Sequence, residues 1–164
     1  MLEWLSSKMA VAVAALLLLS SATAYFANQR DSIHGLELEN VARGIAGFID
    51  AVLDLPGETE FVAGCDGDVG LLMPKEIGGS PYEINLRRDS VIAVQKGEST
   101  VARWTGDLHF WIVFSTVFDS GEIEGLDAEH PSLGLTSCQR FDIAIEEILI
   151  DDSPNLLVFA HAPY

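Results

Sequence analysis

The sequence predicts an α+β fold. A long N-terminal α-helix, with a membrane or apolar half and an amphipathic half, packs on an antiparallel β-sheet or small β-sandwich head. Three observations predict it. Met9 to Ala27 contains no charged residue. From Val41 to Val52 the apolar residues recur at helical spacing. Beyond Gly57 the texture changes to short β-like runs divided by turn residues.

The first element is the apolar run "MAVAVAALLLLSSATAYFA". At 1.5 Å per residue a helix over it spans roughly 28 Å, close to a hydrocarbon core. Lys8 precedes the run, while Arg30 and several acids follow it. That bias favours an amino end in the cytoplasm and the bulk of the chain outside. Trp4 would mark one interface, and Tyr25 and Phe26 the other. Val11, Val13, Ala14, Leu17 and Leu18 form the expected anchor or assembly face. Ala12, Ala14 and Ala15 would let neighbouring helices approach closely. A signal peptide is the competing reading. It uses Lys8, the apolar stretch to Leu19, and "SSATA" with Ala22 and Ala24 at peptidase spacing. Residues 1–30 are therefore expected to be a membrane anchor or a signal segment cleaved after Ala24.

The second element is an amphipathic helix over 31–56. Val41, Ile45, Phe48, Ile49 and Val52 fall on one face, with Glu37, Glu39, Arg43, Asp50 and Asp54 mostly elsewhere. Pro56-Gly57 stops it. With no proline between Ala27 and Val41, one continuous helix roughly 75 Å long is expected, a separate second helix capped by Asp31 or Ser32 being the other reading. The third element is a β-rich extracellular head over 57–164. "YEINL", "SVIAVQ" and "STVARW" read as strands, and "LHFWIVFSTVF" as a central strand apolar on both faces. "DSGEIEGLDAEHPSLG" reads as a long acidic loop. "FDIAIEEILI" alternates at Phe141, Ile143 and Ile145, although a helix is the other reading, and "LLVFAHA" is the last strand.

Composition narrows the function classes. The chain has 164 residues and a formal net charge of −16. Such a surface repels nucleic acid and anionic headgroups, so no nucleic-acid partner is expected. The two cysteines, Cys65 and Cys138, lie far apart without a metal-type spacing. They are either one disulfide or two buried thiols. His34, His109, His130 and His161 fit no metal or catalytic spacing, and no GxSxG elbow is present. Asp66 and Asp68 in "CDGDVG" lack the further acids of a calcium loop and read as a turn. No enzymatic activity, cofactor or metal is expected.

The stretch from Asp50 to Trp104 carries Leu72-Met73-Pro74, Ile77, Gly79, Tyr82 and Ile84 ahead of a charged turn and another strand. With the N-terminal helix, this resembles archaeal type IV pilin-like surface proteins of the class III signal peptide type. The resemblance implies a membrane-anchored or filament-forming structural subunit of the cell surface. Its implied partners are the lipid bilayer and copies of itself or other pilin-like subunits. The implied location is a single-pass membrane protein or a cell-surface filament with the head extracellular. The alternative is a secreted β-rich binding module released by cleavage after Ala24.

Overall fold

A computed structural model describes residues 2–67 and 69–162, with side chains described at 19–25, 29 and 32–162 apart from 68. The chain divides into two units, Met1–Leu36 and Glu37–Tyr164. The first unit is helical and belongs to α1 (Leu2–Leu53). Its side chains at 19–25 are exposed. There the Thr23 hydroxyl donates back to the carbonyls of Leu19 at 2.8 Å and Ser20 at 3.0 Å, so the helix satisfies it locally.

The second unit begins with the amphipathic end of α1. Leu38, Ala42, Ile45, Ala46, Ile49 and Val52 are buried, at the three- and four-residue steps that place them on one face. Among the described residues ten strands and a second helix follow: β1 (Thr59–Gly64), β2 (Leu71–Leu72), β3 (Glu83–Arg87), β4 (Ser90–Gln95), β5 (Glu98–Arg103), β6 (Leu108–His109), β7 (Val117–Phe118), α2 (Ser120–Glu129), β8 (Ser132–Thr136), β9 (Phe141–Ile150) and β10 (Ser153–His161).

Tight turns fix two of the hairpins. Lys96 (φ 50°) and Gly97 (φ 85°) join β4 to β5, and Asp151 (φ 50°) and Asp152 (φ 64°) join β9 to β10. Two successive left-handed residues match the right-handed twist of the flanking strands. Two sheets result. One has the order β2-β1-β9-β10-β6 with β7 also on β9, and the other has the order β5-β4-β3-β8. The first is mixed, because β2, β6 and β7 pair in parallel with their neighbours.

Alternation along β9 and β10 gives this hairpin two apolar faces. Ile145 pairs with Val158 and Ile143 with Ala160. These four share the main core with Ile45 and Ile49 of α1 and with Ile84, Leu86, Val91 and Ala93 of the second sheet. One residue along, Phe159 and Ile148 face the other way into a smaller core with Trp111, Phe118 and Ile123.

The expected fold class needs correction. The unit is mostly β, with ten strands in two sheets, and the first sheet is not purely antiparallel. The helical stretch with continuously described side chains, 32–53, carries Glu37, Glu39, Arg43 and Asp50 and is not apolar. Among the described residues no helix is long and apolar enough to cross a membrane. That finding goes against the expected transmembrane helix and the single-pass membrane location built on it: the charges of 32–53 leave no apolar window of spanning length there, and Met9–Ala27, where the span was expected, lies mostly outside the residues whose side chains are described. The expected face of Val11, Val13, Ala14, Leu17 and Leu18 lies outside the residues whose side chains are described. "LHFWIVFSTVF" is not one strand either. It divides into β6 and β7, and the segment between them covers the smaller core with Trp111 and Val113. The expected acidic loop contains α2 and the start of β8.

Tyr82 shows how tightly the main core is closed. Its ring is buried, and its hydroxyl donates to the Pro74 carbonyl at 2.8 Å. Burial pushes the phenol up to about 12 from 10.0. A raised folded pKa on this acid means stability that is fully present below pH 10 and is lost as pH rises through about 12. The two-unit shift corresponds to about 3 kcal/mol. The Tyr82→Phe variant should therefore lack that part of the alkaline loss. Chemical denaturation of both proteins across this pH window checks it, and parallel declines would refute the assignment.

Candidate functional site

A polar cluster in the head gathers around Asp127. Helix α2 is positioned by its first turn. Asp119 Oδ1 accepts from the Glu122 backbone N–H at 2.8 Å, and Glu122 Oε2 accepts from the Asp119 N–H at 3.0 Å. This reciprocal cap satisfies two otherwise orphaned donors. The Ser120 N–H reaches Asp151 Oδ1 in the β9–β10 turn at 3.3 Å, which ties the helix start to the hairpin. Ile123 then enters the smaller core with Leu126 against it, and Asp127 lies one turn beyond Ile123.

Asp127 meets residues from the β6 segment. His109 ends β6, Trp111 lies in the bend that follows, and both side chains reach the same carboxylate. His109 Nδ1 lies 2.7 Å from Asp127 Oδ1, and Trp111 Nε1 donates to the same oxygen at 3.0 Å. A carboxylate only accepts, so His109 Nδ1 is the donor in its pair. Asp127 Oδ2 lies 3.7 Å from Arg88, whose other nitrogen donates to Asp107 at 2.7 Å. The hydrogen bond to Asp107 pushes the Arg88 guanidinium pKa up, aided by the fields of Asp107, Asp127 and Glu124. Around this centre the aromatic rings pack edge to face, Trp111 lying 4.8 Å from Phe159 and 5.3 Å from Phe118.

Catalysis by a histidine–aspartate pair needs a third group to activate. Among the described residues no hydroxyl or thiol is hydrogen-bonded to His109, whose side chain is 4% exposed. The cluster instead has the chemistry of a pin: one oxygen of a half-buried carboxylate holds two donors from the β6 segment against α2. Beside it lie two grooves that share Phe110 and His130. One, of about 310 Å³, is lined by Arg88, Glu124 and Asp127. The other, of about 560 Å³, is lined by Phe110, Ile112, Phe114, Leu126, Leu133 and His161 among others.

The residues singled out from the sequence are scattered. Cys65 and Cys138 are joined, with sulfurs 2.02 Å apart, and tie the end of β1 to the turn after β8. His34 lies on α1, His130 ends α2 and His161 ends β10, so only His109 belongs to the cluster. Asp68 lies outside the described residues. Among the described residues no group of three His, Cys, Asp or Glu could hold a metal ion. Asp127, Trp111 and Arg88 were not legible as a site. The one signal was the capping spacing of Asp119 and Glu122 ahead of Ile123.

Replacing Asp127 by Ala should leave the His109 and Trp111 donors unmet and cost about 3 kcal/mol. Trp111→Phe removes one donor, keeps the ring in the core, and should cost about half as much. Urea denaturation of both variants checks the order. Equal, small losses would show that the pin contributes nothing.

No protein-family model matches the chain, and neither a curated protein nor a solved structure matches it.

Proposed function

We propose that this chain is a non-catalytic structural subunit that acts through protein contacts of its β-rich head, chiefly with further copies of itself. A role of this kind is also what the resemblance to archaeal pilin-like surface proteins implies. The observation that carries the reading is a strip of exposed large apolar side chains. Ile112 is 59% exposed, Phe114 73% and Val117 53%. Val117 pairs in register with the exposed Leu149 of β9, and Phe114 stacks edge to face on Phe118 at 5.3 Å.

Exposed apolar side chains gathered on one short segment mark interaction surfaces. The backbone beneath these is held in place. The Leu149 N–H donates to the Thr116 carbonyl at 2.8 Å, and the Asp151 N–H to that of Phe118 at 3.1 Å. An aromatic anchor on a fixed backbone costs little ordering on binding. The Cys65–Cys138 link supports an oxidising compartment as the place of work.

The groove of about 560 Å³ beside the strip favours a second reading, a binding module for an apolar ligand. Size measurements separate the two. Sedimentation velocity of the full chain should show association that rises with concentration and weakens about tenfold in Phe114→Asp, the loss of one anchor residue. Association unchanged by Phe114→Asp would sink the strip as a contact surface. A chain that remains monomeric yet gains thermal stability with an apolar probe such as a naphthalene sulfonate would favour the second reading.

A further inference from the structure

The four-stranded sheet has two open edges, β5 and β8, and among the described residues no strand pairs with the outer side of either. We infer that these edges are complementary, and that the β8 edge of one copy takes the β5 edge of the next. The inference deepens the reading of a contact-forming subunit and rests on it.

Backbone orientation is the first support. The Ser137 N–H donates to the Tyr82 carbonyl at 2.7 Å. Counting back by twos, Leu135 and Leu133 turn their backbone groups toward β3, while Thr136, Gly134 and Ser132 turn theirs outward. The outward Thr136 N–H is indeed taken by Gln139 Oε1 at 3.1 Å. On the other edge, the two-residue turn at Lys96-Gly97 makes Gln95 and Glu98 the closing pair. The backbone groups of Ser99, Val101 and Arg103 then point outward.

Direction and register are the second support. β4 runs antiparallel to β3 and β5 to β4, so β5 runs with β3, whereas β8 runs against it. A second copy related by translation therefore brings its β5 antiparallel to β8. One row crosses the sheet through Val101, Ile92, Asn85 and Gly134. Extending that row sets Gly134 opposite Val101 of the next copy, with Ser132 opposite Arg103. Each such pair exchanges two backbone hydrogen bonds.

The side chains agree. A Cβ at Gly134 would meet nothing within 4 Å, and Val101 is 55% exposed. β8 reads Ser-Leu-Gly-Leu-Thr and has none of the charges or prolines that guard sheet edges. Two different edges pairing head to tail make an open series, not a closed dimer.

Proline at an outward-facing N–H removes an edge donor without touching the internal ladder. Amide hydrogen exchange of the full chain, read by NMR with one species labelled, tests the pairing. In the wild type, the Ser99, Val101 and Arg103 amides should slow by about tenfold as concentration rises. In labelled Gly134→Pro alone, the β5 protection should vanish. Adding unlabelled Val101→Pro, which keeps its β8 edge, should restore it. Gly134→Lys serves as the second edge variant if the proline unfolds the chain. Concentration-independent exchange in the wild type would overturn the inference. So would β5 protection that persists in Gly134→Pro alone, because β5 would then be pairing with itself. Association lost in Phe114→Asp but untouched by both edge variants would remove the edge pairing and leave the subunit reading in place.

Discussion

From Phe141 to Ile145, and over the Val158–Ala160 stretch of β10 that pairs with it, the β9–β10 hairpin has no exposed residue, and the rest of the head is arranged to cover it. Ile143, Ile145, Val158 and Ala160 need one apolar cover, while Ile148 and Phe159 need another. The second sheet and the amphipathic end of α1 supply the first. Trp111, Phe118 and Ile123, brought by the β6–β7 segment and α2, supply the second. Beyond Ile145 the first cover runs out, and Leu149 and Leu156 are exposed. A strand pair buried on both sides is the usual cause of near-continuous apolar runs in a sequence.

The smaller core is where fold and proposed function meet. Asp127 joins α2 to His109 and Trp111, and Trp111 packs on Phe118 and Phe159. The exposed strip from Ile112 to Val117 lies between these anchored residues. Its side chains are held out by a backbone that cannot relax inward, because the inward positions are already filled. Among the described residues this polar node has no reactive partner, and under the proposed function its part is to position the strip. The disulfide adds a separate restraint between β1 and the turn leading into β9, closing a sequence separation of 73 residues. In the chain-entropy picture such a loop contributes about 4 kcal/mol.

Local patterns were the legible part of this fold. Alternation at Tyr82, Ile84 and Leu86 and the Lys96-Gly97 turn mark β3 to β5 within a residue or so. The face from Ile45 to Val52 marks the end of α1. What depended on distant partners was not legible. "LHFWIVFSTVF" suits a buried strand equally well as a cover lying on a second core, and only the position of β10 decides between them. α2 is short and acidic with two glycines, so helix propensity argues against it, and only the capping spacing of Asp119 and Glu122 marks its start. The parallel pairings of β2, β6 and β7 are two residues long and leave no periodic trace. The apolar N-terminal run suggested a spanning helix, a reading that the charged described part of α1 does not support. Asp127 looked like one more surface acid, because burial is decided by the residues that come to meet it.

Two-sided burial makes a direct physical claim: both cores open together. Native-state hydrogen exchange across a denaturant series measures it, by comparing the Trp111 indole N–H with the backbone amides of β9 and β10. The account predicts one opening free energy for both, close to that of global unfolding. An indole that exchanges through a much cheaper opening, while the β9–β10 amides stay protected, would contradict it. The smaller core would then be a loosely held cover, and the strip above it would have no fixed backbone to present it.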